Sequence, residues 1–303
     1  MIEAQPSRTA LHVALRRAAH QVHDAKPLIF EDPLAVPILG SEAAAELSRT
    51  PDSERRPFSA GLRAFMVCRA RLAEDVLTAG VRNHGVRQYL VLGAGLDTFA
   101  YRNSFPQVKV FEVDHPATQA WKRERLHEAK IAVPDSMTFV AVDFESQVLK
   151  DELIAHGFDF NLPTVTAWLG VAPYLTEEAF RATLELLGGF AAGSSVVFDY
   201  SLPREALSPN EQLMLDSLSA RVAQAGEPFR LFFTPETLAA ELSRAGMQVV
   251  EDLDGPAVNQ RYLAGRTDGL ELRGRAGRIC HASVMRTQNK RSEEHTSELQ
   301  SPC

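Results

Sequence analysis

Four features of the chain could do chemistry together. The apolar run Tyr89-Leu90-Val91-Leu92 passes directly into Gly93-Ala94-Gly95, and an acid follows at Asp97. A strand that ends in glycine lets a ligand approach the backbone, and the N–H groups at the start of a following helix attract anionic or polar atoms. Alone, that signal divides evenly between a ligand site and a simple turn. Asp114 closes the next apolar run, FEVDHP, 21 residues after Gly93. That is near the spacing of roughly 20 at which an acid accepts hydrogen bonds from ribose hydroxyls. A helix cap ahead of His115-Pro116 is the other role open to Asp114. The run VAVDFE ends in Asp143 and Phe144. This acid could accept from an adenine amino group while the ring packs on the base; standing alone, Asp143 would read as a surface-turn acid.

The fourth feature is Arg69. Over Leu62–Leu77 the apolar positions Leu62, Phe65, Met66, Leu72, Ala73 and Val76 form a helical stripe, and Arg69 falls in its middle. Arg63, Arg71 and Glu74 fall outside it. A guanidinium facing a core needs a partner, because an unpaired buried charge costs several kcal/mol or more. The partner is either an acid of the protein or a carboxylate of a ligand held by two parallel hydrogen bonds. A cofactor that joins adenosine to an amino acid, such as S-adenosyl-L-methionine, satisfies all four features. NAD is the competing reading, but its pyrophosphate favours a third glycine, and Thr98 stands at that position.

The elements that must position these residues follow from periodicity. Helical patterns fill the first eighty residues: ALHVALRRAAHQVHD, a second starting at DPLAVPILG, and SAGLRAFMVCRARLAEDVLTAG ending at Gly80. From residue 88 short β-rich runs alternate with helical stretches, including Pro116–Lys130 and Glu177–Gly188, the latter capped by Thr176. The β runs are YLVLGAG, KVFEVD, MTFVAVDF, TVTAWLGV, SVVFDYS, the end of TPETLAAELSRAGMQVVEDL, and RICHASVMR. Continuous apolar strands alternating with helices predict an α/β, Rossmann-like, mostly parallel seven-stranded sheet covered on both faces. Residues 1–80 form an N-terminal helical cap, 81–290 the main domain, and 204–231 a helical insertion after the fifth strand. Residues 291–303, with RSEEHTSELQS, read as the in-frame translation of a common sequencing-library adapter; a natural polar tail is the alternative. They are set aside.

Composition narrows the function classes. The net charge is −7 and no basic block occurs, which argues against a nucleic-acid partner. No apolar run reaches the roughly 18–20 residues of a membrane span. Cys68, Cys280 and Cys303 are scattered and form neither a metal-ligand spacing nor a disulfide framework, so a reducing cytoplasm is the expected compartment.

In extended form these motifs resemble the leucine carboxyl methyltransferases and related S-adenosylmethionine-dependent enzymes, in particular their large bacterial branch. The resemblance rests on TALHVALRRAAHQVHDAKPLIFEDPLA, VLGAGLDTFAYR, FEVDHPATQAWKRERL and VAVDFE, and runs from about Thr9 to Tyr200, more loosely to Arg286. It implies that Arg69 binds the methionine carboxylate, and that Gly93, Ala94, Gly95 and Asp97 face the methionine end. It places Asp114 and His115 at the ribose, and Asp143 and Phe144 at the adenine. One departure stands out: Leu169 occupies the position where the leucine carboxyl methyltransferases carry a glutamate, which counts against a protein C-terminus as substrate. The expectation is methylation of an oxygen of a small-molecule acceptor. A nicotinamide-dependent oxidoreductase and a cofactor-binding protein without transfer activity are the alternatives. Tyr174, Asp199, Tyr200 and His20 are candidates for acid–base work, none of them singled out as catalytic.

Overall fold

The structure is a computed structural model that describes residues 7–49, 57–143, 147–224 and 226–285. Seven strands form one sheet in the order β3-β2-β1-β4-β5-β7-β6. They are β1 (Gln88–Leu92), β2 (Lys109–Asp114), β3 (Met137–Ala141), β4 (Thr164–Trp168), β5 (Ser195–Ser201), β6 (Met247–Leu253) and β7 (Gly277–Val284). The first five are parallel, and β7 lies antiparallel between β5 and β6. Strand order reverses between β1 and β4, so the crevice above their carboxyl ends is where an open α/β sheet binds ligands.

Burial on both faces explains why the strands read as continuous apolar runs. Tyr89 and Val91 point into one core layer, with Leu72 and Leu77 of helix α3 (Pro57–Asn83). Leu90 and Leu92 point into the other, with Phe180, Leu184 and Leu187 of the helix at Glu177–Gly188. A third cluster, built largely from Ala14, Ala18 and Ala19 with Ile38, Leu39, Leu96 and Leu126, seats α1 (Arg8–His23) over the glycine loop. Small side chains allow that close seating: a Cβ on Gly95 would lie 3.0 Å from that of Ala10.

Two expectations need correction. DPLAVPILG forms turns and a short 3-10 stretch at Pro37–Leu39, with α2 starting at Ser41 (Ser41–Arg49). Pro37 has no N–H to give the carbonyl of Pro33, so a helix running through it from Asp32 would lack that rung; the stretch keeps one such bond, from Ile38 N to Leu34 O at 3.0 Å. Helix α3 does not end at Gly80 but runs on to Asn83. There the glycine serves packing, since a Cβ would sit 2.8 Å from Val86 and 3.2 Å from Val165. The remaining helices follow the expected alternation: α4 (Pro116–Glu128), α5 (Leu149–Ala155), α6 (Glu177–Gly188), α7 (Pro209–Gln224) and α8 (Pro235–Arg244). Helix α7 lies within the stretch read as an insertion. Phe144 and residues 291–303 lie outside the described residues.

Candidate functional site

The strand ends converge on a cavity of about 980 Å³. Eight of the nine residues singled out from the sequence line it: Arg69, the loop from Gly93 through Gly95, Asp97, Asp114, His115 and Asp143.

The glycine loop is bent back by hydrogen bonds from Gly93 N and Ala94 N to the carbonyl of Val113, at 2.9 and 3.0 Å. Gly93 has φ +68°, and a Cβ there would stand 2.4 Å from Val171 Cγ2. Only a glycine fits both demands. Asp114 does not cap α4. His115 does, its Nδ1 accepting from Ala117 N at 3.2 Å. Asp114 instead accepts from Gly95 N at 2.6 Å and from His115 N at 2.7 Å, so it fixes the glycine loop while facing the cavity. Burial raises its pKa, and the two N–H groups only partly offset that.

Asp97 meets the N-terminal cap. Its Oδ2 accepts from Arg17 Nη1 at 2.8 Å and its Oδ1 from Phe99 N at 2.8 Å. Burial works to raise its pKa, but Arg17, Lys122, Arg102 and the Phe99 N–H hold it below the ordinary aspartate value. Arg17 also donates to Asp32 at 2.7 Å and to Thr98 Oγ1 at 3.0 Å. The Thr98 hydroxyl donates in turn to Asp32 at 2.7 Å. Position 98, where a dinucleotide fingerprint would have its third glycine, is thus tied into the cap. Asp143 lines the cavity just after β3, its N–H donating to Gln147 Oε1 at 2.9 Å.

Arg69 is 4% exposed, and its Nη1 donates to Asp199 Oδ2 at 2.8 Å. The partner left open by the sequence is therefore a protein acid, yet the guanidinium still borders the cavity. Arg63, placed by periodicity outside the stripe, is 3% exposed and pairs with Asp24 at 2.7 Å. Helix α3 is enclosed between α1 and the sheet, so more than one of its faces is buried. Glu74, also placed outside, pairs with Arg102 in a half-buried position, whereas Arg71 is exposed as expected.

Of the candidates for acid–base work, Tyr174 alone borders the cavity. It packs on Phe229 with ring centres 5.2 Å apart, and burial pushes its hydroxyl up to about 12. His20 is buried against Asp24 (2.7 Å) in the cap, and Tyr200 donates to Asp252 at 2.7 Å; neither reaches the cavity. Leu169 lines the wall where the resemblance would have a glutamate.

The sequence reading missed Arg17, Gly170 and the role of Asp199. Arg17 follows Ala14 by three residues on the alanine face of α1, a detectable signal. Gly170 follows β4 as a lone glycine, which carries no signal alone. Asp199 is 130 residues from Arg69, a distance no local pattern bridges. Ser7 Oγ donates to Glu227 Oε1 at 2.9 Å, and Arg230 N to the carbonyl of Pro173 at 2.7 Å. These bonds bring the segment after α7 to the cavity rim. Among the described residues no helix is long and apolar enough to cross a membrane, and no cluster of His, Cys, Asp and Glu suits a metal ion.

The seven-stranded, mostly parallel sheet in this order fits the Rossmann-like fold of the S-adenosylmethionine-dependent methyltransferase class. Two solved structures share the fold across 94% of this chain. One is described as a DUF574 family protein from Streptomyces avermitilis (TM-score 0.56, 17% identity, all of that chain covered). The other is described as "a putative methyltransferase" from Thermobifida fusca (TM-score 0.57, 16% identity, 97% of that chain). The family model for leucine carboxyl methyltransferase matches residues 10–188. A Bacillus subtilis relative named "Putative S-adenosyl-L-methionine-dependent methyltransferase YktD" is 30% identical over 293 residues, 89% of this chain and 95% of the relative. The chain belongs to the leucine carboxyl methyltransferase family, and its cofactor is S-adenosyl-L-methionine.

Proposed function

We propose that the chain methylates an oxygen, of a carboxylate or a hydroxyl, on a small-molecule acceptor. The observation that carries this is the gathering of Arg69, the Gly93–Gly95 loop, Asp114 and Asp143 around one cavity. On this reading Arg69 holds the methionine carboxylate and the loop lets the cofactor lie against the backbone. Asp97 faces the methionine end, Asp114 and His115 take the ribose, and Asp143 with Phe144 takes the adenine. Gly93 supports the fit, because the cradle it leaves is one a Cβ would fill. When bound, S-adenosyl-L-methionine supplies a methyl group on a positively charged sulfur that departs without acid assistance.

The chain's own task is then to align an acceptor oxygen and exclude water, which supplies much of such a rate enhancement. Tyr174, with its hydroxyl held protonated, is no base at neutral pH. Asp199 has both oxygens engaged. A carboxylate acceptor needs no base at all, and the site accords best with it. Residues 1–80 and 204–231 serve as the lid over the main domain of residues 81–290, a role supported by the Ser7–Glu227 bond at the rim. Leu169 in place of the family's glutamate supports a small acceptor over a protein C-terminus.

Calorimetry with S-adenosylmethionine, S-adenosylhomocysteine and NAD tests the cofactor pocket. The first two bind and NAD does not, and Arg69→Ala weakens the first two sharply; unchanged affinity in that variant rejects the assignment of Arg69. A radiolabelled-methyl assay over a metabolite extract tests the chemistry. Base-labile label marks an ester, base-stable label on oxygen marks an ether, and no transfer with intact binding leaves a cofactor-binding protein.

A further inference from the structure

The Arg69 side chain is long, and freezing it at the moment of binding would reduce affinity, so what holds it beforehand matters. Two groups beside it do so. Asp199, 5% exposed on β5, accepts from Arg69 Nη1 at 2.8 Å with one oxygen. With the other it accepts from Gly170 N at 2.6 Å. The carboxylate thus joins the guanidinium to the backbone just after β4. Gly170 has φ +71°, and a Cβ there would lie 2.8 Å from Arg69 Nη2, 3.1 Å from Nη1 and 3.2 Å from Cζ. The guanidinium fills the space a side chain at 170 would need. Arg69 and Gly170 line the cavity while Asp199 is not part of its wall. The Phe65 ring lies 5.9 Å from Arg69 Cζ.

We propose that Gly170 and Asp199 are positioning residues for the carboxylate end of the cofactor, acting through Arg69. They hold the guanidinium against the β4 turn so that its remaining donors meet the ligand carboxylate already oriented. The inference rests on the reading of Arg69 as the carboxylate anchor. Asp199 lies outside the cavity wall, and Gly170 contributes through the space it leaves for the guanidinium, so the effect of each is expected where the ligand carries a carboxylate.

The test is calorimetry on the full chain with two probes, S-adenosylhomocysteine and its decarboxylated analogue. Wild-type protein prefers the first by at least about tenfold, as a charge-assisted forked contact implies. Gly170→Ala displaces the guanidinium. Asp199→Glu keeps the charge but moves it by one methylene, and provides the test if the alanine variant does not fold. Each variant is expected to lose about tenfold in affinity for S-adenosylhomocysteine, the equivalent of one such contact. Binding of the decarboxylated probe stays within about twofold, because its own contacts are intact. Equal losses for both probes, or no loss for either, overturn the proposal. Wild-type protein that binds both probes equally well refutes the anchor reading of Arg69 and this inference with it. Wild-type protein that binds neither refutes the cofactor site itself.

Discussion

Replacing Gly93 by alanine puts a methyl group 2.4 Å from Val171 Cγ2, on a residue whose φ is +68°. Two separable costs follow. A left-handed conformation costs a residue with a Cβ about 1–2 kcal/mol. Forcing a methyl into occupied space costs about 1–3 kcal/mol more, through displaced side chains and backbone. Together Gly93→Ala loses roughly 2–5 kcal/mol, a large part of the roughly 5–15 kcal/mol that holds a typical domain folded. Urea unfolding measures it: at a slope of about 3 kcal/mol/M the midpoint falls by roughly 1 M. The two costs come apart in a double-mutant cycle with Val171→Ala, which removes the collision and leaves the backbone strain. The cycle should show a favourable coupling of about 1–3 kcal/mol, with the double variant still below Val171→Ala alone by about 1–2 kcal/mol. Strict additivity would refute the collision as the reason for glycine. An unchanged midpoint in Gly93→Ala would refute the whole account of the loop.

Asp24 sits between His20 and Arg63; burial works to raise its pKa, but their hydrogen bonds hold it below the ordinary 3.8. Asp97 is lowered likewise. A depressed carboxylate contributes stability that is fully present above its unfolded value and lost as pH falls through the folded one. The stability that these two carboxylates contribute should therefore be intact down to about pH 5 and fall away below about pH 4, so in thermal melts Asp24→Asn should flatten the drop below about pH 4 relative to the parent chain. The same variant costs about 3–5 kcal/mol at neutral pH, read by urea midpoint, because it breaks a buried ion pair. Ser7→Ala removes both the α1 cap to Ala10 N and the bond to Glu227. It should cost about 1 kcal/mol and speed amide hydrogen exchange in the first turn of α1. Phe180→Ala empties a fully buried site stacked at 5.4 Å on Trp168. About 3–5 kcal/mol should be lost, with a changed near-ultraviolet signal from that tryptophan.

Much of the sheet was legible because each strand carries its own instruction. The runs ending at Leu92, Asp114 and Trp168 are mostly apolar and buried along almost their whole length, which is what cover on both faces demands. Thr176 and Thr234 announced their helices because capping is settled within four residues. The candidate site was legible where a cavity-lining residue lies in a turn immediately after a strand. What the sequence did not disclose depends on contacts between distant segments. Arg63 was misread because periodicity tells which face is apolar, whereas α1 covers a second face with paired charges. Arg17 reaches Asp97 across 80 residues, and Arg69 reaches Asp199 across 130. Neither spacing has a local counterpart.

The strand closest to the carboxyl end of the described chain is an interior one. Since β7 is the one strand β6 pairs with among the described residues, and pairs with β5 at seven positions against four for β4, neither can be completed before residues 277–284 have been synthesised. A nascent chain therefore passes through a stage in which β5 presents an unsatisfied backbone edge next to the crevice, the kind of edge that invites pairing with a foreign strand. Any shortening that removes this last strand would make that transient exposure permanent and strand β6 altogether.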